Sequence, residues 1–105
     1  MKRETFTILI HHGSMKLPAF PVGSGLFIHR YVRNKNELSK RGWTISAKCG
    51  LAIGSIFDEK FENVLTICNK ILKHLDWNSS TENLTKSKQH KNVVKKLRKL
   101  LDERL

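Results

Sequence analysis

The spacing of apolar residues changes once along this chain, and that change restricts what the chain can fold into. Between Thr5 and Ile56 apolar side chains recur at every second position in short blocks, and from Phe61 onward they recur every third or fourth. Alternation puts side chains on the two faces of a strand, whereas the wider spacing lines one side of a helix. Strands first and helices afterwards give an α+β domain, not an alternating parallel-sheet arrangement. Thr5 to His12 is expected as a strand with Phe6, Ile8 and Ile10 on one face. Gly13 to Gly25 holds both prolines and three of the six glycines, and is expected as a loop. Leu26 to Arg33 is a second strand, setting Leu26, Ile28 and Val32 against Phe27, His29, Tyr31 and Arg33. Asn34 to Arg41 is a polar, basic connection. Gly42 opens a third strand, Trp43 to Lys48, and the Cys49-Gly50 turn leads into a fourth, Leu51 to Ile56. The expectation is an antiparallel sheet of three to four strands packed on one amphipathic helix, with a basic C-terminal helix added.

That first helix is expected over residues 58–77. Asp58 caps it, Asp58 and Glu59 suit its positive end, and Phe61, Val64, Leu65, Cys68, Ile71, Leu72 and Leu75 form its stripe. Residues 78–90 contain one large apolar side chain, Leu84, and are expected as a polar linker. Residues 91–105 are a second helix. Its stripe is Val93, Val94, Leu97, Leu100, Leu101 and Leu105, and its other side carries Lys91, Lys95, Lys96, Arg98 and Lys99. At 105 residues the chain suits one domain with one modest core, here residues 1–77.

Charge narrows the function classes. Lys and Arg number 20 against 9 Asp and Glu, a net charge of +11. Residues 1–57 hold nine basic and two acidic side chains, residues 58–77 three and four, and residues 78–105 eight and three. The positive charge loads both ends, and a polyanionic partner relieves its self-repulsion. Nucleic acid is the favoured partner, DNA ahead of RNA; an anionic membrane surface and an acidic protein are the other two.

Other classes are expected to be absent. Two cysteines, Cys49 and Cys68, cannot build a secreted disulfide framework. Phe6 to Ile10 is too short for a signal peptide and no window suits a membrane span, so a cytosolic location is expected and the sequons at Asn78 and Asn83 are coincidental. His11 and His12 are adjacent, so on a strand they point apart and cannot share a metal. The acids include no catalytic pair, and Gly23-Ser24-Gly25 lacks the rest of a phosphate-cradling motif. No cofactor, metal or catalysis is expected; a ribonuclease pairing His11 with His29 is the one enzymatic version to test.

With the helix on one sheet face, the other shows Thr7, His11, Phe27, His29, Tyr31, Arg33, Thr44, Ser46 and Lys48. Rings interleaved with cations suit nucleic acid, because bases stack on rings while Lys and Arg follow phosphates. The alternative is that the second helix covers this face and makes Phe27 and Tyr31 part of a small core. The loop from Arg33 to Arg41 is the strongest local patch. The candidate nucleic-acid contacts are therefore Phe27, His29, Arg30, Tyr31, Arg33, Lys35, Lys40, Arg41 and Lys48. A different class of function, a protein-binding subunit or inhibitor of a nucleic-acid enzyme, would use Val94, Lys95, Leu97, Arg98 and Leu101 on the C-terminal helix.

Residues Gly42 to Ile71 resemble the small three-stranded-sheet-plus-helix DNA-binding domains of the AP2 and integrase arm-binding type. The carriers are Gly42-Trp43-Thr44-Ile45, the Cys49-Gly50 turn, and Leu51 to Phe57 running into Asp58-Glu59. The resemblance implies an exposed sheet face set in a DNA groove, with Thr44, Ser46 and Lys48 as contacting positions. The Lys- and Asn-rich composition is also similar to that of small accessory proteins of phages and other mobile elements.

Overall fold

The alternating blocks become strands, and there are more of them than the spacing predicts. A computed structural model describes residues 2–10, 13–33 and 37–103. Among these residues the strands are β1 (Glu4–Ile10), β2 (Gly13–Gly23), β3 (Leu26–Val32), β4 (Leu38–Ala47) and β5 (Ala52–Phe57). They form one antiparallel sheet in the order β1-β2-β3-β4-β5. The helices are α1 (Phe61–Ile67), α2 (Thr81–Lys86) and α3 (Lys88–Glu103).

The additional strand is β2, the segment expected as a loop from its prolines and glycines. Leu17 and Ala19 are buried on either side of exposed Pro18, the alternation a strand requires. Residues 13–19 pair only with β1, while residues 20–23 pair only with β3. Each part of β2 thus has one partner, and N–H groups on the other side face away from any ladder, the setting in which Pro18 and Pro21 are tolerated.

The partner switch in β2 changes where β1 goes. The expected seat of Phe6, Ile8 and Ile10 is under the helix, but Phe6 and Ile8 instead form a separate cluster with Leu17 and Ala19, joined by Ile10, Met15, Phe27 and Val32. The Phe6 ring stacks on Phe27 at 4.2 Å between centroids. At the end of β1 the Leu9 N–H donates to the Gly50 carbonyl at 3.1 Å, in the turn between β4 and β5. The β1–β2 hairpin therefore crosses over the face of β3 and β4 opposite the helices.

The main core lies on the helix side. Leu26, Ile28, Trp43, Ile45, Ile53 and Ile56 meet Val64, Ile67, Cys68 and Leu72, with Trp77, Leu84 and Leu97 closing the far side. Cys68 behaves as a small hydrophobe there, and burial pushes its thiol up to about 12.

Helix α1 starts later and ends sooner than expected. Asp58 is not its cap: its backbone N–H donates to the Arg41 carbonyl at 2.8 Å, which extends the β4–β5 ladder and delays the helix to Phe61. Lys60 occupies the cap position without a side-chain bond. The helix widens over Cys68–Leu72 into a turn bonded five residues apart, Lys73 N–H to Cys68 C=O. Trp77 is not part of it. Its indole N–H donates to the Leu72 carbonyl at 2.7 Å, satisfying one of the acceptors a helix end leaves open. Gly25 makes room for that tryptophan: with φ of +80°, any Cβ there would lie 2.6 Å from the Trp77 carbonyl carbon.

The segment 78–90, expected as a linker, is folded onto the domain. Ser80 caps α2 by accepting from the Asn83 N–H at 3.2 Å, and Leu84 is buried in the core. Ser87 sits at the start of α3, where its hydroxyl is 2.6 Å from His90 Nδ1, while His90 Nε2–H donates to the Asp76 carbonyl at 2.7 Å. The His90 ring also meets Trp77 edge-on at 4.6 Å. These contacts fix α3, and its stripe packs inward: Leu97 is fully buried, with Val93, Val94 and Leu101 against the same core. Among the described residues no helix is long and apolar enough to cross a membrane.

Candidate nucleic-acid interface

The sheet face expected to be open is closed along half its length. Cross-strand pairing puts His29, Thr44 and Ser55 on one face, and places Gly42 and Phe57 on that face further along. Under the β1–β2 hairpin, His29, Thr44 and Ser46 are only 2%, 4% and 0% exposed. They are bonded to one another and to their neighbours. Thr44 and Ser55 share a hydroxyl hydrogen bond of 2.9 Å, and His29 Nε2 lies 2.8 Å from Ser46 Oγ. His29 Nδ1 donates to the Arg30 carbonyl, also at 2.8 Å, which leaves Nε2 to accept from the serine. Burial holds the His29 pKa below its ordinary value. Thr44 and Ser46, the contacting positions the family resemblance implies, lie in this closed part, and Phe27 is half-buried against Phe6.

Further along the same face, among the described residues, Tyr31 is half-buried and Phe57 exposed. There Tyr31 and Phe57 meet with ring centroids 4.9 Å apart and planes at 68°, and Phe57 keeps 48% of its surface in solvent. The pair exists because position 42 is glycine. A Cβ at Gly42 would come within 2.6 Å of the Phe57 ring and 2.8 Å of Tyr31 Cβ. Glycine on a strand beside an aromatic ring is a packing device, with the ring covering the backbone that glycine leaves bare.

The cations around this pair are in different states. Arg33, at the end of β3, and Lys40, on β4, are exposed. The Arg41 guanidinium is held by the Asp58 carboxylate in a two-pronged pair, with both contacts at 2.7 Å. That pair raises the Arg41 pKa and lowers the Asp58 pKa. Asp58 takes a positive φ of 58°, a conformation that aspartate tolerates better than most residues. Arg30 faces the other way: its guanidinium stacks 3.7 Å above the Trp43 ring and donates to the Lys40 carbonyl.

Of the residues singled out in the sequence, Tyr31, Arg33, Lys40 and Arg41 come together at this end of the β3–β4 hairpin. Phe27 and His29 are beneath the β1–β2 hairpin, Arg30 is on the helix side, and Lys48 is at the opposite end of β4. Lys35, His11 and Leu105 lie outside the described residues. Val94, Leu97 and Leu101 pack within the chain, while Lys95 and Arg98 are exposed beside them. Among the described residues no group of three His, Cys, Asp or Glu stands close enough to hold a metal ion.

Sequence reasoning missed Phe57. The spacing ends its strand at Ile56, and the signal that points to it is Gly42 across the ladder, a glycine between the basic Lys40-Arg41 and the apolar block that starts at Trp43. Compared with known proteins, the chain matches no family model, no curated protein and no solved structure.

Proposed function

We propose that this chain is a small non-catalytic nucleic-acid-binding protein, an accessory that takes unpaired bases on Tyr31 and Phe57. DNA is favoured over RNA. The observation that carries the reading is the aromatic pair left open at one end of a sheet face whose other end is sealed, on a chain of +11. Exposed rings accept bases by stacking, worth ~1–3 kcal/mol per base, and they do so without regard to sequence. Arg33 and Lys40 follow the phosphates on either side, and the Arg41–Asp58 pair orients the end of β4 beside them. A duplex keeps its bases stacked on one another, so the platform suits single strands better.

The test is a fluorescence-anisotropy titration of labelled single- and double-stranded DNA and RNA over a salt series. The expected result is saturable binding that prefers single strands, with log K falling by ~0.7 per contacted phosphate for each tenfold rise in salt. Phe57→Ala is expected to weaken that binding by about fivefold or more with melting temperature unchanged, since each stacked base contributes ~1–3 kcal/mol. Equal, weak binding to every polyanion, insensitive to Phe57→Ala, would overturn the reading.

A further inference from the structure

The other edge of the sheet is built differently. Among the described residues strand β5 ends the sheet and is paired only with β4. Its sequence, Ala52-Ile53-Gly54-Ser55-Ile56-Phe57, contains no charge and no proline, two of the devices with which proteins block strand addition at an edge, and its one irregularity is a register shift at Ile53 in the ladder with β4. The opposite edge, β1, begins with Glu4 and has its Leu9 N–H occupied by Gly50. Helix α3 stands above β5 without pairing to it. Leu97 Cδ2 lies 3.0 Å from where a Gly54 Cβ would be, so the helix rests on the strand's face.

Between edge and helix run two adjoining cavities of about 690 and 320 Å³ that share Ala52, Ile53 and Arg98. Lys91, Lys95 and Arg98 follow one another along the helical wall at spacings that put them on one side. Among the described residues the ion pairs are Arg41–Asp58 and Lys86–Glu82, so these three cations have none. The far end is acidic, with Asp58, Glu59 and Asp102.

We propose that this groove docks an extended acidic segment of another protein, which adds to β5 as a sixth strand. The backbone of β5 provides ladder N–H and C=O groups, apolar side chains of the guest enter the cavities, and its carboxylates meet Lys91, Lys95 and Arg98 near the Leu51 end. A second copy of this chain fits less well, because it brings a further +11 to the same wall. A nucleic-acid strand would satisfy the cations but leave the strand edge unpaired.

The probe is a fluorescein-labelled ten-residue peptide of alternating Glu and Val. It is compared with the same peptide carrying Lys for Glu, and with one N-methylated at every second amide, which removes the ladder donors. On the wild-type protein the Glu peptide is expected to bind with Kd below about 1 mM. The N-methylated form should bind at least tenfold more weakly and the Lys form not saturably, with amide hydrogen-exchange protection gained over residues 52–57. The double variant Lys95→Glu, Arg98→Glu alters exposed side chains and should lower the Glu-peptide affinity at least tenfold at unchanged melting temperature. The proposal is overturned by equal binding of methylated and unmethylated peptides, by no saturable binding, or by protection elsewhere. Two further results also overturn it: displacement of the peptide by an oligonucleotide that protects the same amides, and self-association that protects β5 without any peptide.

Discussion

The two ends of one sheet face invite comparison, because the same strands made them and only their cover differs. At one end Phe27, His29, Thr44 and Ser46 lie beneath the β1–β2 hairpin, satisfied by hydrogen bonds and a stacked Phe6. At the other end Tyr31 is half-buried against Phe57, which keeps 48% of its surface in solvent. A strand's alternation says which residues share a face; it does not say how much of that face another element will cover. What decides it here is β2, which leaves β1 for β3 after Ala19 and so carries the hairpin over only part of the sheet.

The largest test of the comparison attacks the cover. Phe6 is buried and stacked on Phe27, so Phe6→Ala removes the main apolar contact that holds the hairpin down. The expected loss is ~3–5 kcal/mol by chemical denaturation, the usual range for a buried phenylalanine truncated in a core. If it costs less than ~0.5 kcal/mol, a surface-like value, the covered end is no more structural than the open one and the contrast fails.

The strand and helix classes were legible in the sequence because they follow from local periodicity, and β3, β5 and the C-terminal helix are near where the spacing puts them, whereas β4 begins at Leu38, so residues 38–41, expected as part of a basic loop, are strand. The additional strand was hidden because Pro18 and Pro21 signal a loop, and their acceptability depends on one-sided pairing that only the tertiary fold supplies. The seat of Phe6 and Ile8 was hidden for a related reason: alternation does not say which of two apolar faces a strand will join. Residues 78–90 looked like a linker on composition, yet one buried leucine, Leu84, the Ser80 cap and the Ser87–His90 contact fold them onto the domain. At the candidate interface, Tyr31, Arg33, Lys40 and Arg41 were legible as an aromatic–basic cluster. Phe57 was not, because it depends on a glycine across the ladder.

A smaller test sharpens the open end. Gly42→Ala places a methyl group against both the Phe57 ring and Tyr31 Cβ. The ring must move off, and the strand backbone must shift for Tyr31, an overpacking cost of ~1–3 kcal/mol. Single-strand affinity is expected to fall as it does for Phe57→Ala, because the same platform is lost. If affinity is unchanged while stability falls, the pair is packing alone.

Ser46→Ala probes the closed end with one atom. It leaves His29 Nε2 buried without its partner, which costs ~1–3 kcal/mol for a polar group stranded away from water. Denaturation should report that loss with no change in oligonucleotide binding. A fall in binding at full stability would instead mean that the sealed face takes part in contact.

The finest distinction is in pH. His29 is buried with its pKa below the ordinary 6.5, chiefly because burial penalises the charged ring. Well above pH 6.5 the ring is neutral whether the chain is folded or not, and it contributes no pH dependence. As pH falls below 6.5 the unfolded chain takes up a proton that the folded one refuses, so stability declines down to the folded pKa. The slope approaches ~1.4 kcal/mol per pH unit for one fully linked proton. His29→Gln removes this proton while keeping a polar group for Ser46, so the difference between its denaturation curves and those of the wild type isolates the slope. The slope of the wild type should exceed that of His29→Gln as pH falls through 6.5, and the two should coincide well above it. If the two chains decline in parallel, His29 is as accessible to protons when folded as when unfolded, and the hairpin does not seal that end of the sheet.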